Sequence, residues 1–497
     1  MKKIYIIAVT TLAFLFLSFS LFTQQQPSKA IHTMQKSGVN TSYDIKLDVK
    51  PEELKIDGKM TIQALNDTGK NQNSVFFHLY ANAFKESYNE DSDYWKQMLG
   101  KFSEPGNIDI HSVEVNEAEV DYKIDQTLME VPVEWKKDEL AKIKMNFTIN
   151  IPFNNSRMSY NGKTYWMGNS LPIRSVYSEE TGWHKDPYYE YGEPFYSETS
   201  NYKVTITTPD DHKVASSGKQ IDSKVNQKDK SITYEMKANK VRDFVYVIVN
   251  EEVDFMESKV GDTTVRTWYS ASSYSEEDIR KYHEIGVESF KYFNEKFGEY
   301  PYDEYDIVET GGWFGGMEYP GLVFVSKRFF KNDYGLTTVV HETAHQWWYS
   351  LVGSNPVHHA WMDESLSSYS EFQFLEKYYP ELNEKYNGQN KREALGLEYF
   401  SKQNQYISSS ISEFKFPNDY YKIIYSIGSQ MFNYLEEEVG TEKVNEALST
   451  YYKENKFENA KPEDLLKAFE EKISPDARKF LESWLNGKLV KIEDVKE

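Results

Sequence analysis

Two histidines four positions apart, His341 and His345, with Glu342 between them and Glu364 further on, are the residues of this 497-residue chain whose types and spacing could do chemistry. They stand in the run Val-Val-His-Glu-Thr-Ala-His-Gln-Trp-Trp. On an α-helix, residues four apart share a face with Cβ atoms about 5–6 Å apart, so both imidazoles can reach one ion. A hydrolytic zinc site takes three protein ligands at about 2.0–2.1 Å and keeps a fourth position for water, and Glu364 completes that count. Glu342 is turned about 100° from its histidine neighbour on the helix. It is therefore placed as the base that takes a proton from water rather than as a ligand. One zinc ion is the expected cofactor. His358 and His359 precede Glu364, and with three ligands already in place they are expected to be wall or loop residues rather than a second metal site.

Several elements must position these groups. The spacing predicts a helix over about 337–350 for the histidines and a second from about Asp363 for Glu364. Short strands are predicted at Tyr305–Glu309 and Gly321–Val325. Upstream, Val287, Phe290, Phe293 and Phe297 recur at helical spacing, with Gly298 as a stop. Downstream, Ser474-Pro475-Asp476 reads as a cap and first turn before Phe480, Trp484 and Leu485. Trp347 and Trp348 read as core aromatics. The first half has another period. Tyr43, Ile45, Leu47 and Val49 alternate with polar residues, as do Ile143 to Ile151 and Tyr202, Val204 and Ile206, the mark of half-buried strands. Val245–Val249 reads as a last buried strand. The expected organisation is an α+β multidomain chain: a targeting segment over 1–30, an antiparallel β domain over 40–252 and an α-rich catalytic domain over 253–497.

A formal charge of −21 and a pI near 5.1 exclude nucleic acid as the partner, because phosphate binding needs clustered Lys and Arg. The chain has no cysteine, which rules out disulfides, thiolate metal ligands and a lipoprotein anchor. Lys2 and Lys3 precede an uncharged, apolar run from Ile4 to Phe22, which predicts export. Ser28-Lys29-Ala30 offers a cleavage site, but the run is also long enough to span a bilayer, and a single amino-terminal anchor is slightly favoured. In either case the catalytic body is expected outside the cytoplasm, secreted or membrane-anchored.

Four motifs in one order, Gly315-Gly316-Met317-Glu318, His341-Glu342-x-x-His345, Trp361-Met362-Asp363-Glu364 and Tyr425-Ser426-Ile427-Gly428, resemble those of the gluzincin zinc aminopeptidases, the family of aminopeptidase N and the leukotriene hydrolase. The resemblance covers about residues 40–487. It implies a saddle-like β domain followed by a thermolysin-like catalytic domain, in a short form that stops before the family's later β-sandwich and helical domains. It further implies that Gly315, Gly316 and Met317 lie along the substrate as an edge strand, that Glu318 grips the free amino group and that Tyr425 donates a hydrogen bond to the oxyanion. The chain departs from the family in three places. Tyr319 stands where the family has Asn, which leaves the first side-chain pocket undefined. Asp363 also replaces an Asn and is expected to cap the following helix or to alter hydrogen bonding behind the ligands. No Gln-x-Glu element is found in the β domain, so a second acidic contact to the amine is not expected; the short form, without the later domains, is expected to leave a more open cleft.

The expectation is therefore a zinc aminopeptidase acting on peptides with a free amino terminus. Two alternatives stand beside it: a zinc endopeptidase using the same metal, and a non-catalytic peptide-binding protein in which zinc only stabilises the fold.

Overall fold

The computed structural model describes residues 38–330 and 332–495, so the targeting segment expected over 1–30 lies outside the described residues. Among the described residues, no helix is long and apolar enough to cross a membrane.

Alternation along Thr41–Lys50 puts Tyr43, Ile45, Leu47 and Val49 on one buried face and polar side chains on the other. The same pattern recurs along Lys55–Leu65, Leu140–Asn150 and Ser200–Pro209, and these strands join in an eight-stranded sheet. Within it, Thr41–Lys50 runs parallel to Ser200–Pro209, while the other pairings are antiparallel. Tyr43 faces Tyr202 across that parallel seam, and their rings stack at 4.6 Å between centroids. Two four-stranded sheets cover the apolar face, one of them ending the half at Tyr246–Asn250.

From Val253 the pattern changes to a five-stranded sheet backed by helices. Its order is Val253–Val260, Thr263–Ser270, Glu304–Thr310, Leu322–Ser326 and Gly316–Met317, so the short Gly316–Met317 strand forms an edge. Helix α1, Glu276–Lys296, begins with a Ser275 capping box and buries Ile279, Val287, Phe290 and Phe293. Helix α2, Asp333–Ala344, carries the first two site residues, and α3, Glu364–Tyr378, runs against it. Near the carboxyl end Pro475–Leu485 starts as its sequence predicts, with the Ser474 side chain accepting a hydrogen bond from the Ala477 amide. The molecule is thus α+β, a β-rich half followed by a helical half, and Trp347 and Trp348 are fully buried in the second core.

Helix α2 differs from its predicted limits of 337–350. Asn332 caps it four residues earlier, its side chain accepting from the Gly335 amide, and the helix ends at Ala344 with His345 as its C-cap. The chain then turns back on itself. Trp347 donates its amide to Ala344 O at 2.9 Å, Ser350 to His345 O at 3.0 Å, and Tyr349 sits at φ +135, a conformation a bulky L-residue rarely adopts.

Candidate active site

His341 and His345 project from the end of α2 towards Glu364 at the start of α3. His341 Nε2 and His345 Nε2 lie 3.0 Å apart, and Glu364 Oε2 lies 3.3 Å from the first and 3.2 Å from the second. In a tetrahedral zinc site with bonds of about 2.0–2.1 Å, neighbouring donor atoms stand roughly 3.3 Å apart, so this triangle of two nitrogens and one carboxylate oxygen fits the ion. Two further triplets, Glu318–Glu342–His345 and Glu193–Glu318–Glu364, also bring donor atoms within 4.8 Å of one another. They offer at most one imidazole and a crowd of carboxylates, and the paired imidazoles make the first triplet the better zinc site.

The far sides of the ligands are held as well. His345 Nδ1 lies 2.6 Å from Asp363 Oδ1, 2.9 Å from Ser367 Oγ and 3.0 Å from the Trp348 carbonyl, and His341 Nδ1 lies 3.2 Å from Glu371 Oε2. Such partners fix ring orientation and raise ligand basicity. Asp363 makes no capping hydrogen bond to α3. Of its two expected roles the first is corrected and the second stands: its side chain turns back to orient His345. Burial opposes charge on His341, but hydrogen bonds to Glu364 and Glu371 prevail and push it up to about 9. Burial likewise works against the Glu364 carboxylate, yet His345 and His341 hold it well below the usual range.

Glu342 is buried beside this triad, with Oε2 lacking any hydrogen-bond partner among the described residues. Burial pushes its carboxyl up to about 8. The edge strand passes directly over it: a Cβ added to Gly316 would fall 2.2 Å from Glu342 Oε1. That strand keeps its register on α2 through Gln346, which donates to Tyr319 O at 3.1 Å and accepts from the Gly321 amide at 2.9 Å. Tyr319 itself is buried towards the β half, its hydroxyl donating to Asn169 Oδ1 at 2.6 Å. Met317 is also buried, with its sulfur 3.0 Å from Arg157 Nε.

Glu318 follows, 2 % exposed, with Oε1 unpartnered among the described residues. Beside it stands a carboxylate that sequence reading missed. Glu193, from an irregular stretch of the β half, pairs with Arg157 at 2.6 Å and keeps Oε2 unpartnered among the described residues. Burial, and next the neighbouring Glu193, push the Glu318 carboxyl well above its ordinary value. The β half thus does supply a second acidic group, without the Gln-x-Glu element expected to announce it. Two buried carboxylates with free oxygens, within 4.8 Å of a metal-ligand oxygen, form a socket for one cation.

Tyr425 stands against Glu364 and His341. It lies on a π-helical segment, Lys422–Ile427, a distortion that often marks functional sites. Its hydroxyl donates to Glu364 Oε1 and its ring stacks on His341 at 5.9 Å. His358 and His359 stand apart on the short helix Pro356–His359. His358 contacts Ser410 Oγ at 3.0 Å and Asp186 at 3.7 Å.

A clamp from the β half reaches the turn behind His345. The buried Arg242 guanidinium donates from Nε to Tyr349 O at 2.7 Å and from Nη1 to Ser197 O at 3.0 Å, and it also engages Asn459 Oδ1 and Glu458 O. Gly353 lies so close that a Cβ there would meet Arg242 Cζ at 2.1 Å.

Two imidazoles and a following glutamate, with the buried Glu342 carboxyl beside them, thus form a candidate zinc site on the helical half. Residues 282–484 match the Peptidase family M1 domain. It is 27% identical over 229 residues to Aminopeptidase 2 of Candida albicans, a match covering 42% of this chain and 25% of the relative. It is 24% identical over 308 residues to Aminopeptidase M1 of Arabidopsis thaliana, covering 58% and 34%. The chain therefore spans about a quarter to a third of the length of these relatives. Among solved structures, the M1 zinc metallopeptidase from Deinococcus radiodurans superposes with a TM-score of 0.61 at 15% identity, covering 91% of this chain and 95% of that one. A two-domain M1 zinc metallopeptidase variant bound to L-arginine gives a TM-score of 0.62 at 15% identity, covering 90% and 95%.

Proposed function

We propose that this protein is a zinc-dependent aminopeptidase that removes the first residue from peptides with a free amino terminus. The observation that carries the reading is the pair of buried, partly unpartnered carboxylates, Glu318 and Glu193, beside the metal-ligand triad. An α-amino group is largely cationic at neutral pH. A carboxylate about 4 Å away attracts it by roughly 4 kcal/mol at an effective dielectric of 20, before desolvation is subtracted. An internal peptide bond brings no such charge, so the socket favours exopeptidase over endopeptidase action.

Zinc held by His341, His345 and Glu364 would lower the pKa of a water to about 7 and polarise the substrate carbonyl. Glu342 takes the proton from the attacking water at its carboxylate and passes it to the leaving nitrogen, work typically worth about 10²–10⁴ in rate. The Tyr425 hydroxyl donates to the oxygen on which negative charge develops. Gly316 and Met317 lie along the substrate backbone, and Glu318 with Glu193 sets its register. The apolar run from Ile4 to Phe22 supports a catalytic body outside the cytoplasm, secreted or held by one amino-terminal anchor.

The test is a panel of aminoacyl reporter substrates with and without a chelator. Hydrolysis should vanish on chelation and return with zinc. Glu342→Gln protein should keep its metal and lose turnover by a factor of about 10² or more. Normal hydrolysis by that variant would refute the base assignment, and internal fragments from an unblocked peptide would make the protein an endopeptidase.

A further inference from the structure

The edge strand gives a bound substrate its direction. At one end Glu318 and Glu193 present unpartnered oxygens for the amino group. Two residues back, Gly316 lies against Glu342, where the bond is cut. Continuing from 316 towards 313 therefore leads to the side on which the leaving fragment lies. Gly315 comes next, with the Tyr334 hydroxyl 3.8 Å from where its Cβ would be. Beyond it is Trp313, 49% exposed, with the Arg328 guanidinium 4.7 Å from its ring centroid and the Phe329 ring flanking the same guanidinium at 5.8 Å. The pieces are tied together: the Trp313 amide donates to Asn155 O at 2.8 Å, and Ser326 Oγ donates to Gly312 O at 2.9 Å.

Arg157, Arg174, Arg266 and Arg478 all meet carboxylates. Among the described residues, Arg328 meets none, and no acceptor engages its guanidinium; its contacts are the two rings, while its backbone amide donates to Ser326 Oγ. In a chain with 78 acidic residues against 57 basic ones, a cation left in this state beside the edge strand is conspicuous. Stacking restrains the planar guanidinium yet leaves its N–H edge free, the arrangement suited to bidentate capture of a carboxylate.

We propose that Arg328, laid on Trp313, recognises a carboxylate on the leaving side of the substrate, so that the protein favours short peptides with a free carboxyl terminus. The proposal rests on the aminopeptidase reading for the substrate's direction. Three residues of chain, 313 to 316, span at most about 10–11 Å, so the carboxylate in reach belongs at the furthest to the third residue beyond the cut bond. Two sources offer that chemistry: the terminal carboxylate of a tri- or tetrapeptide, and an acidic side chain on the leaving side of a longer peptide.

Equilibrium binding to zinc-loaded Glu342→Gln protein tests it, because that protein leaves the peptide uncut. Trialanine should bind about three- to tenfold more tightly than its carboxyl-terminal amide, with the ratio shrinking as salt is raised. In the added Arg328→Gln background the ratio should fall to about one, and Arg328→Lys should keep part of it. An amidated peptide with Asp in the third position, set against its Gln counterpart, separates the side-chain source from the terminal one. Equal affinity for acid and amide in the Arg328 protein, or a ratio that survives Arg328→Gln, would overturn the proposal. A failure of the aminopeptidase reading looks different: amino-acetylated trialanine would then bind as well as the free peptide.

Discussion

A single methyl group probes how closely the substrate strand lies on the base. Adding it at Gly316 would put a carbon 2.2 Å from Glu342 Oε1, so either the edge strand or the carboxylate must move. Displacements of about 1 Å near a reacting centre can cost on the order of 10² in rate. Gly316→Ala is therefore expected to keep its fold and zinc content while kcat falls at least about tenfold; unimpaired kcat would show that the strand has room to spare. At this scale the sequence was legible wherever the chemistry is local. His341, Glu342 and His345 converge because helical spacing makes them converge, and Glu364 opens the next helix. Glu193 could not be read this way. It lies between Gly192 and Pro194, in a stretch with no period, and only tertiary packing carries it to Glu318. The one available signal was a glutamate in a run dense with tyrosines, at Tyr188, Tyr189 and Tyr191.

Among the elements, the turn after α2 is gripped from outside its own half. Tyr349 at φ +135 stores strain that the surroundings must hold, and Arg242 grips its carbonyl from the other half of the molecule. The neighbouring Trp348 carbonyl lies 3.0 Å from His345 Nδ1, so release of the grip reaches the metal ligand through one peptide unit. Arg242→Lys keeps the charge but loses the fork that serves several acceptors at once. We expect it to weaken zinc affinity by about tenfold in a chelator competition, in line with other partners behind a ligand. A lower melting temperature with zinc affinity untouched would make the clamp purely structural. Helical spacing predicted that α2 exists but not the turn that follows it, whose Tyr349 carbonyl is held by Arg242, 107 positions away in the chain.

Across the whole molecule, stability should carry a mark from one buried acid in the catalytic sheet. Burial pushes Asp306 up to about 7, against the pull of Arg266 and of the Trp268 indole, whose Nε1 donates to Oδ1 at 2.8 Å. In the unfolded chain an Asp titrates near 3.9. The folded state therefore favours the protonated form: the contribution is whole below about pH 4 and is lost as pH rises through about 7. Asp306→Asn retains the acceptor for Trp268 without the charge, so its thermal midpoint should gain on that of the parent between pH 4 and pH 8. A difference that stays constant over that range would remove Asp306 from the account.

The parallel seam between Thr41–Lys50 and Ser200–Pro209 has a consequence for biogenesis. One flank of the first strand finds its neighbour at once in Lys55–Leu65, but the other waits until about 150 more residues have been synthesised. Through that interval the nascent chain exposes a ready template for pairing with other chains, so crowding during synthesis, more than heat applied to the finished protein, is the condition under which it should aggregate.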